Sequence, residues 1–168
     1  MKPITIAVFD VYYFEAYANG CCVVFKKEKE EKVLSEYSKK IEETSEYIPG
    51  EFYKRELPCI LRTFDLIEEE IDIIILDSFV WLEEGKKGLG GYLYEALEKK
   101  IPVIGVAKTY FRSVSSYKEL YRGVSKKPLY ISSIGIDLNY AFDLIQSLEG
   151  EYRIPNVLKR VDQLSRQI

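Results

Sequence analysis

The run Ile71–Phe79, IDIIILDSF, constrains the chain more than any other stretch. Five of its first six residues are Ile or Leu, and the run then stops on a carboxylate, Asp77. A short apolar stretch this rich in Ile reads as a strand buried on both faces, in the middle of a parallel or mixed α/β sheet. Ligands of open α/β sheets bind just beyond the carboxyl ends of the strands. Asp77 is therefore either an acid facing a site or the cap of the turn after the strand. Ile4–Tyr12, ITIAVFDVY, is a second apolar run with an acid near its end, Asp10. Adjacent strands of this kind place two carboxylates side by side, where like charges raise each other's pKa. A hard divalent cation removes the conflict, because it takes carboxylate oxygens.

At 168 residues, 47% apolar and 30% charged, the chain reads as one globular domain over 1–168 with a sizeable core. No apolar stretch reaches the roughly 18–20 residues of a membrane span. The start MKPITIAVFD has one Lys and then a strand, so no secretory signal is expected. Cys21, Cys22 and Cys59 cannot all pair and lack metal-ligand spacing, so reduced thiols in a cytoplasmic protein are expected. There is no histidine. That removes the usual general base, the usual zinc ligand and every Ser/His or Cys/His nucleophile. Carboxylates, lysine, tyrosine or a hard metal remain. The net charge of −3 argues against coating nucleic acid by bulk charge, but leaves room for local basic patches.

The remaining elements follow from periodicity and turn chemistry. Phe14–Phe25 is rich in strand formers and is expected to pass Gly20 through a bulge, with the turn nearer Tyr13–Glu15. Lys26–Lys32 reads as a hairpin tip, Val33–Tyr37 as a third short strand, and Lys39–Tyr47 as loop or frayed helix. Tyr47-Ile48-Pro49-Gly50 is a turn signal. Helical spacing covers Phe52–Glu70, with Pro58 at a first turn or a break. Gly85–Gly91 reads as a flexible connection without a phosphate-binding loop motif. Tyr92–Lys100 reads as a helix and Ile101–Ala107 as a buried strand ending at Lys108. Tyr117–Ser133 suggests two strands around the Ser125–Pro128 turn, then helices over Leu138–Leu148 and Pro155–Ser165. The order implies an α/β domain with a mixed β-sheet flanked by helices, similar to the ribonuclease H-like fold.

Several ordered segments carry a family resemblance. Asp10-Val11-Tyr12-Tyr13 opens the series, followed by Tyr47-Ile48-Pro49-Gly50 and Arg55-Glu56-Leu57-Pro58. Asp77 ends a strand, and Gly88-Leu89 follows in register. Ile101–Lys108 reads IPVIGVAK, and Tyr152-Arg153-Ile154-Pro155 precedes Asp162. In these segments the chain resembles the endonuclease V family, metal-dependent enzymes that nick nucleic acid near deaminated adenine. The resemblance implies a Mg²⁺ ion, or Mn²⁺ in its place, on Asp10, Glu56 and Asp77, with Lys108 beside the scissile phosphate. It implies DNA or RNA as partner, and a base wedge formed by Tyr47, Ile48 and Pro49. Taken alone, Glu56 is a helix acid at an exposed first turn, and the wedge is a plain Pro-Gly turn.

The chain departs from the family pattern where a base would bind. The family's D-G-x-G-x-x-H-P reads Asp77-Ser78-Phe79-Val80-Trp81-Leu82-Glu83-Glu84 here. Ser78, Gly88 and Tyr92 fall at substrate-contacting positions, with Tyr92 in place of a family histidine. The late G-H-x-x-[SD]-L segment reads Gly135-Ile136-Asp137-Leu138, so Asp137 is the one candidate there to replace a lost histidine. Phe79 and Trp81 either stack on a base or cover the core. The expected activity is a phosphodiester endonuclease with an altered base pocket. The alternatives are a weakly catalytic descendant that binds nucleic acid or a partner protein, and a hydrolase of small phosphates.

Overall fold

A computed structural model describes residues 2–42, 52–83, 85–110 and 116–167 of the chain. The elements are β1 (Ile4–Tyr13), β2 (Ala18–Lys27), β3 (Glu31–Ile41), α1 (Phe52–Phe64), β4 (Ile73–Leu76), β5 (Trp81–Glu83) and β6 (Lys86–Lys87). They continue with α2 (Leu89–Ala96), β7 (Val103–Ala107), β8 (Lys118–Leu120), β9 (Leu129–Ile134), α3 (Leu138–Ser147) and α4 (Asn156–Ser165). One sheet runs in the order β3-β2-β1-β4-β7-β9-β8, and β5-β6 form a separate two-stranded hairpin. β1, β4 and β7 are parallel neighbours, whereas β2, β3, β8 and β9 pair antiparallel.

β4 explains why the sheet is covered on both sides. Successive side chains alternate across a strand. Ile73 and Ile75, with Ile6 and Val8 of β1, pack under α3 and α4. Ile74 and Leu76, with Ala7 and Phe9, pack under α1 and α2. Each fully buried side chain of this kind stabilises the fold by roughly 1.5–3 kcal/mol. The expected mixed sheet flanked by helices is what forms.

Several local expectations change. β2 passes Gly20 in unbroken register with β1, and the irregularity lies between Val24 and Phe25. Gly20 serves close packing instead, because a Cβ there would strike Thr63 Oγ1 and the Cys59 carbonyl of α1. β3 reaches Ile41, longer than expected, because an edge strand with an exposed face tolerates its Lys and Glu residues. α1 stops at Phe64 rather than Glu70. Asp65, Glu68, Glu69 and Glu70 follow, and acids oppose the negative end of a helix. Pro58 sits inside α1 on its exposed face, beyond the first turn. The Gly85–Gly91 stretch is not all loop. It holds β6 and the start of α2, and α2 ends early where Glu98 and Lys99 turn left-handed at φ 59° and 58°. All three cysteines are buried free thiols.

Candidate active site

Because β1, β4 and β7 are parallel and adjacent, their carboxyl ends emerge at one edge of the sheet. Phe9 pairs with Leu76, and Leu76 with Gly105. Asp10 and Asp77 therefore leave neighbouring strands together, and Lys108 follows from the next. β1 is also where the chain turns from parallel to antiparallel pairing, the kind of switch point at which α/β sheets bind ligands. Glu56 arrives from α1 and is only 7% exposed, so it is not an exposed helix acid. The Tyr13 hydroxyl donates to Glu56 Oε2 at 2.7 Å, and the Arg55 guanidinium lies 3.6 Å from the centre of the Tyr13 ring.

Burial and mutual repulsion dominate the electrostatics. Burial first, then the charges of Asp77 and Asp162, push the Asp10 carboxyl up to about 7. Burial pushes Glu56 up to about 8, with Asp10 and Asp77 adding to the rise and the Tyr13 hydrogen bond opposing it. Among the described residues Asp10 makes no ion pair with a cation, although Arg166, paired with Asp162, feels its charge. Asp77 does make one: Lys108 Nζ lies 2.9 Å from its Oδ2, with both side chains a third exposed. Asp162 of α4 shares a hydrogen bond with Asp10, and Ser165 Oγ donates to Asp10 Oδ2 at 3.4 Å. Sequence reasoning placed Asp162 in a motif without giving it a role. The signal that finds it is alternation: Asp10 continues the Ile6 and Val8 face of β1, and that face is the one α4 covers.

The donor set suits a hard cation, being carboxylate oxygen throughout. The side-chain positions say something different. Among the described residues no three His, Cys, Asp or Glu side chains stand where they would hold a metal ion. Asp77 is turned to Lys108, Glu56 to Tyr13, and Asp10 Oδ1 to the Val11 amide at 2.9 Å. The backbone brings the three acids to one edge of the sheet, and their side chains as they stand are engaged by these separate partners.

The other candidates separate. Asp137 stands at the start of α3, after β9. It caps α3, its Oδ2 accepting from the amides of Asn139 and Tyr140 at 3.1 and 3.2 Å. Gly88 is buried at the start of α2, and its amide donates to the Val80 carbonyl at 2.7 Å. A Cβ there would strike the Phe79 carbonyl, so Gly88 lets α2 approach the 78–80 loop. Tyr92 stacks on Tyr53 with ring centres 3.8 Å apart. Ser78 lines a cavity of about 360 Å³ with Asp77 and Lys108. Phe79 and Trp81 cover the core: Phe79 is buried against Tyr117 and Tyr130, and Trp81 Nε1 donates to the Ser133 carbonyl at 3.2 Å. Tyr47, Ile48 and Pro49 lie outside the described residues.

The family model for endonuclease V matches residues 2–126. The chain belongs to the endonuclease V family. It is 30% identical to endonuclease V of Nostoc punctiforme over 144 residues, 73% of this chain and 63% of that protein. It is 27% identical to endonuclease V of Petrotoga mobilis over 139 residues, 70% of this chain and 61% of the relative. The chain thus spans less than two thirds of the length of these relatives. The solved endonuclease V of Streptomyces avermitilis is similar with a TM-score of 0.80 and 25% identity, covering 96% of this chain and 79% of that one. An endonuclease V of Ciona intestinalis matches in fold with a TM-score of 0.82 and 19% identity, covering 98% and 85%. The fold is ribonuclease H-like, as endonuclease V folds are. Among the described residues no helix is long and apolar enough to cross a membrane.

Proposed function

We propose that this chain is a divalent-cation-dependent endonuclease that hydrolyses a phosphodiester bond in DNA or RNA, with base recognition altered from that of its relatives. One observation carries the reading: Asp10 and Glu56 are acids forced upward in pKa by burial first and then by neighbouring acids, Asp77 among them for both, at the switch point of the sheet. Such groups are costly to keep charged and mark functional sites more often than chance. Asp10, Glu56 and Asp77 would hold Mg²⁺ or Mn²⁺, which polarises a phosphoryl oxygen and lowers the pKa of water when bound. The Tyr13 hydroxyl orients Glu56. Lys108 lies at the rim, where its ammonium offsets charge developing on a phosphate once Asp77 is otherwise engaged.

The altered base recognition rests on the loop after Asp77. Val80 is fully buried, its amide donating to Ser132 Oγ at 2.9 Å, and Phe79 is buried beside it. The chain's own side chains fill the space that two glycines would leave for a flipped base. The Ciona relative was solved with a 23mer DNA containing an inosine. Inosine-containing and unmodified DNA and RNA, incubated with the protein in Mg²⁺ or Mn²⁺, are expected to be nicked with little preference for inosine. Absence of nicking on every substrate, indistinguishable from Asp77→Ala, overturns the proposal.

The Asp77–Lys108 bridge favours one other reading, a binding protein of this fold that no longer cuts. Calorimetry separates the two. An enzyme takes up Mg²⁺ with a heat that Asp10→Ala removes, and a binding module gives no heat at millimolar Mg²⁺.

A further inference from the structure

We infer that an unpaired nucleic-acid strand leaves the acid cluster along a basic, tyrosine-edged groove between the β8–β9 turn and α4. The inference rests on the nuclease reading and names the form of substrate that site takes. Three cavities of about 360, 300 and 330 Å³ adjoin there. Lys108 lines all three, Thr109 and Tyr110 are shared by the first two, and Arg153 by the last two. The cavities therefore lie side by side along the surface, from Asp77 at one end to Asp162 at the other.

Its walls suit a phosphate backbone. Lys127 borders the middle cavity and Lys159 the far one, and both are exposed. In a chain of net charge −3 this local gathering of cations stands out. Arg153 builds the floor instead of reaching outward: its Nη2 donates to the carbonyls of Lys108 and Pro128, tying β7 to the β8–β9 turn. Asp162 also borders the far cavity, and its charge faces Arg166 at 3.2 Å. The edges suit bases. Tyr110 is 51% exposed and Tyr152 69% exposed, one beside each end cavity. Tyr110 is propped edge-on by Tyr117 and at a tilt by Tyr130, with ring centres 6.3 and 5.9 Å away. Aromatic faces along a cationic groove take unpaired bases by stacking, which a duplex denies them.

The test is fluorescence anisotropy of a labelled single-stranded 20mer, in Ca²⁺ and across a salt series. Wild type is compared with Lys127→Ala/Lys159→Ala, Tyr152→Ala and, as a control, Lys29→Ala/Lys32→Ala at the opposite end of the sheet. The groove variant is expected to bind on the order of tenfold more weakly, with the salt slope shallower by about 1.4 for two lost contacts. The control should match wild type. Tyr152→Ala is expected to lose roughly tenfold on the single strand and much less on the matching duplex. Wild-type affinity and slope in the groove variant overturn the path while leaving the nuclease reading intact, provided nicking is seen. No binding of any oligonucleotide by wild type overturns both. All substituted side chains are exposed, and thermal melts confirm that each variant is folded.

Discussion

At the residue scale, two raised carboxylates make a signed prediction about pH. Asp10 and Glu56 titrate near 7 and 8 in the folded chain and in the ordinary carboxylate range when unfolded. Below about pH 4 both are protonated in either state and cost nothing. As pH rises from there, the folded state holds protons that the unfolded state has released, so stability falls through the folded values and levels off only above about pH 8. In EDTA the melting temperature is therefore expected to be several degrees lower at pH 8 than at pH 5.5. Glu36, held low by Arg160, acts in the opposite sense but below this window. Asp10→Asn removes one buried charge and should flatten the profile and raise the melting temperature at pH 8. A wild-type melting temperature that climbs between pH 5.5 and 8 contradicts the buried-acid account. Mg²⁺ added at pH 8 should stabilise wild type and leave Asp10→Asn unmoved, which separates cation binding from simple relief of repulsion.

Elements decide which sequence signals came through. β1, β4 and β7 were legible because strands buried on both faces need continuous apolar runs, and ITIAVFDVY, IDIIILDSF and IPVIGVA have them. Their parallel pairing then carries Asp10, Asp77 and Lys108 to one edge, so those positions follow from the same signal. β3 was read short because an edge strand that is half exposed carries Lys, Ser and Glu, which resemble a loop. α1 was read long because Leu66 and Ile67 continue the helical spacing, while the acids after Phe64 that end the helix leave the spacing untouched. Asp137 has a local task whatever else it does, because it caps α3. Asp137→Ala should cost about 1 kcal/mol as a lost helix cap, or about 2–4 °C in melting temperature for a chain of this size. Nicking at a temperature well below the melt should be unaffected. A large loss of activity with normal stability would return Asp137 to the site.

Across the whole molecule, the site depends on joints that no motif records. Lys108 leaves β7 at the end of the sheet, and its own carbonyl is held by Arg153, which also holds that of Pro128. Arg153 in turn sits in the α3–α4 connection, which is held by Arg122 from the end of β8. The Arg122 guanidinium is 7% exposed and donates to four carbonyls. Nη1 reaches Tyr152 and Arg153 at 3.0 and 3.3 Å, and Nη2 reaches Leu148 and Gly150 at 2.6 and 3.2 Å. A planar fork with five donors matches that set, and a lysine ammonium does not. Two arginines thus link β8, the α3–α4 connection and the end of β7 into one support for Lys108. Arg122→Met strands the buried Leu148 carbonyl and removes three part-buried bonds, the first costing about 1–3 kcal/mol and the others less, so a loss on the order of 3 kcal/mol is expected. That corresponds to a fall of roughly 6–12 °C in melting temperature. Arg122→Lys should recover little of it. If the support matters to function, Arg122→Lys assayed well below its melt should lose turnover more than strand affinity, because Lys127 and Lys159 remain in place. Stability close to wild type in Arg122→Met would show that the four carbonyls find water and that the joint is dispensable.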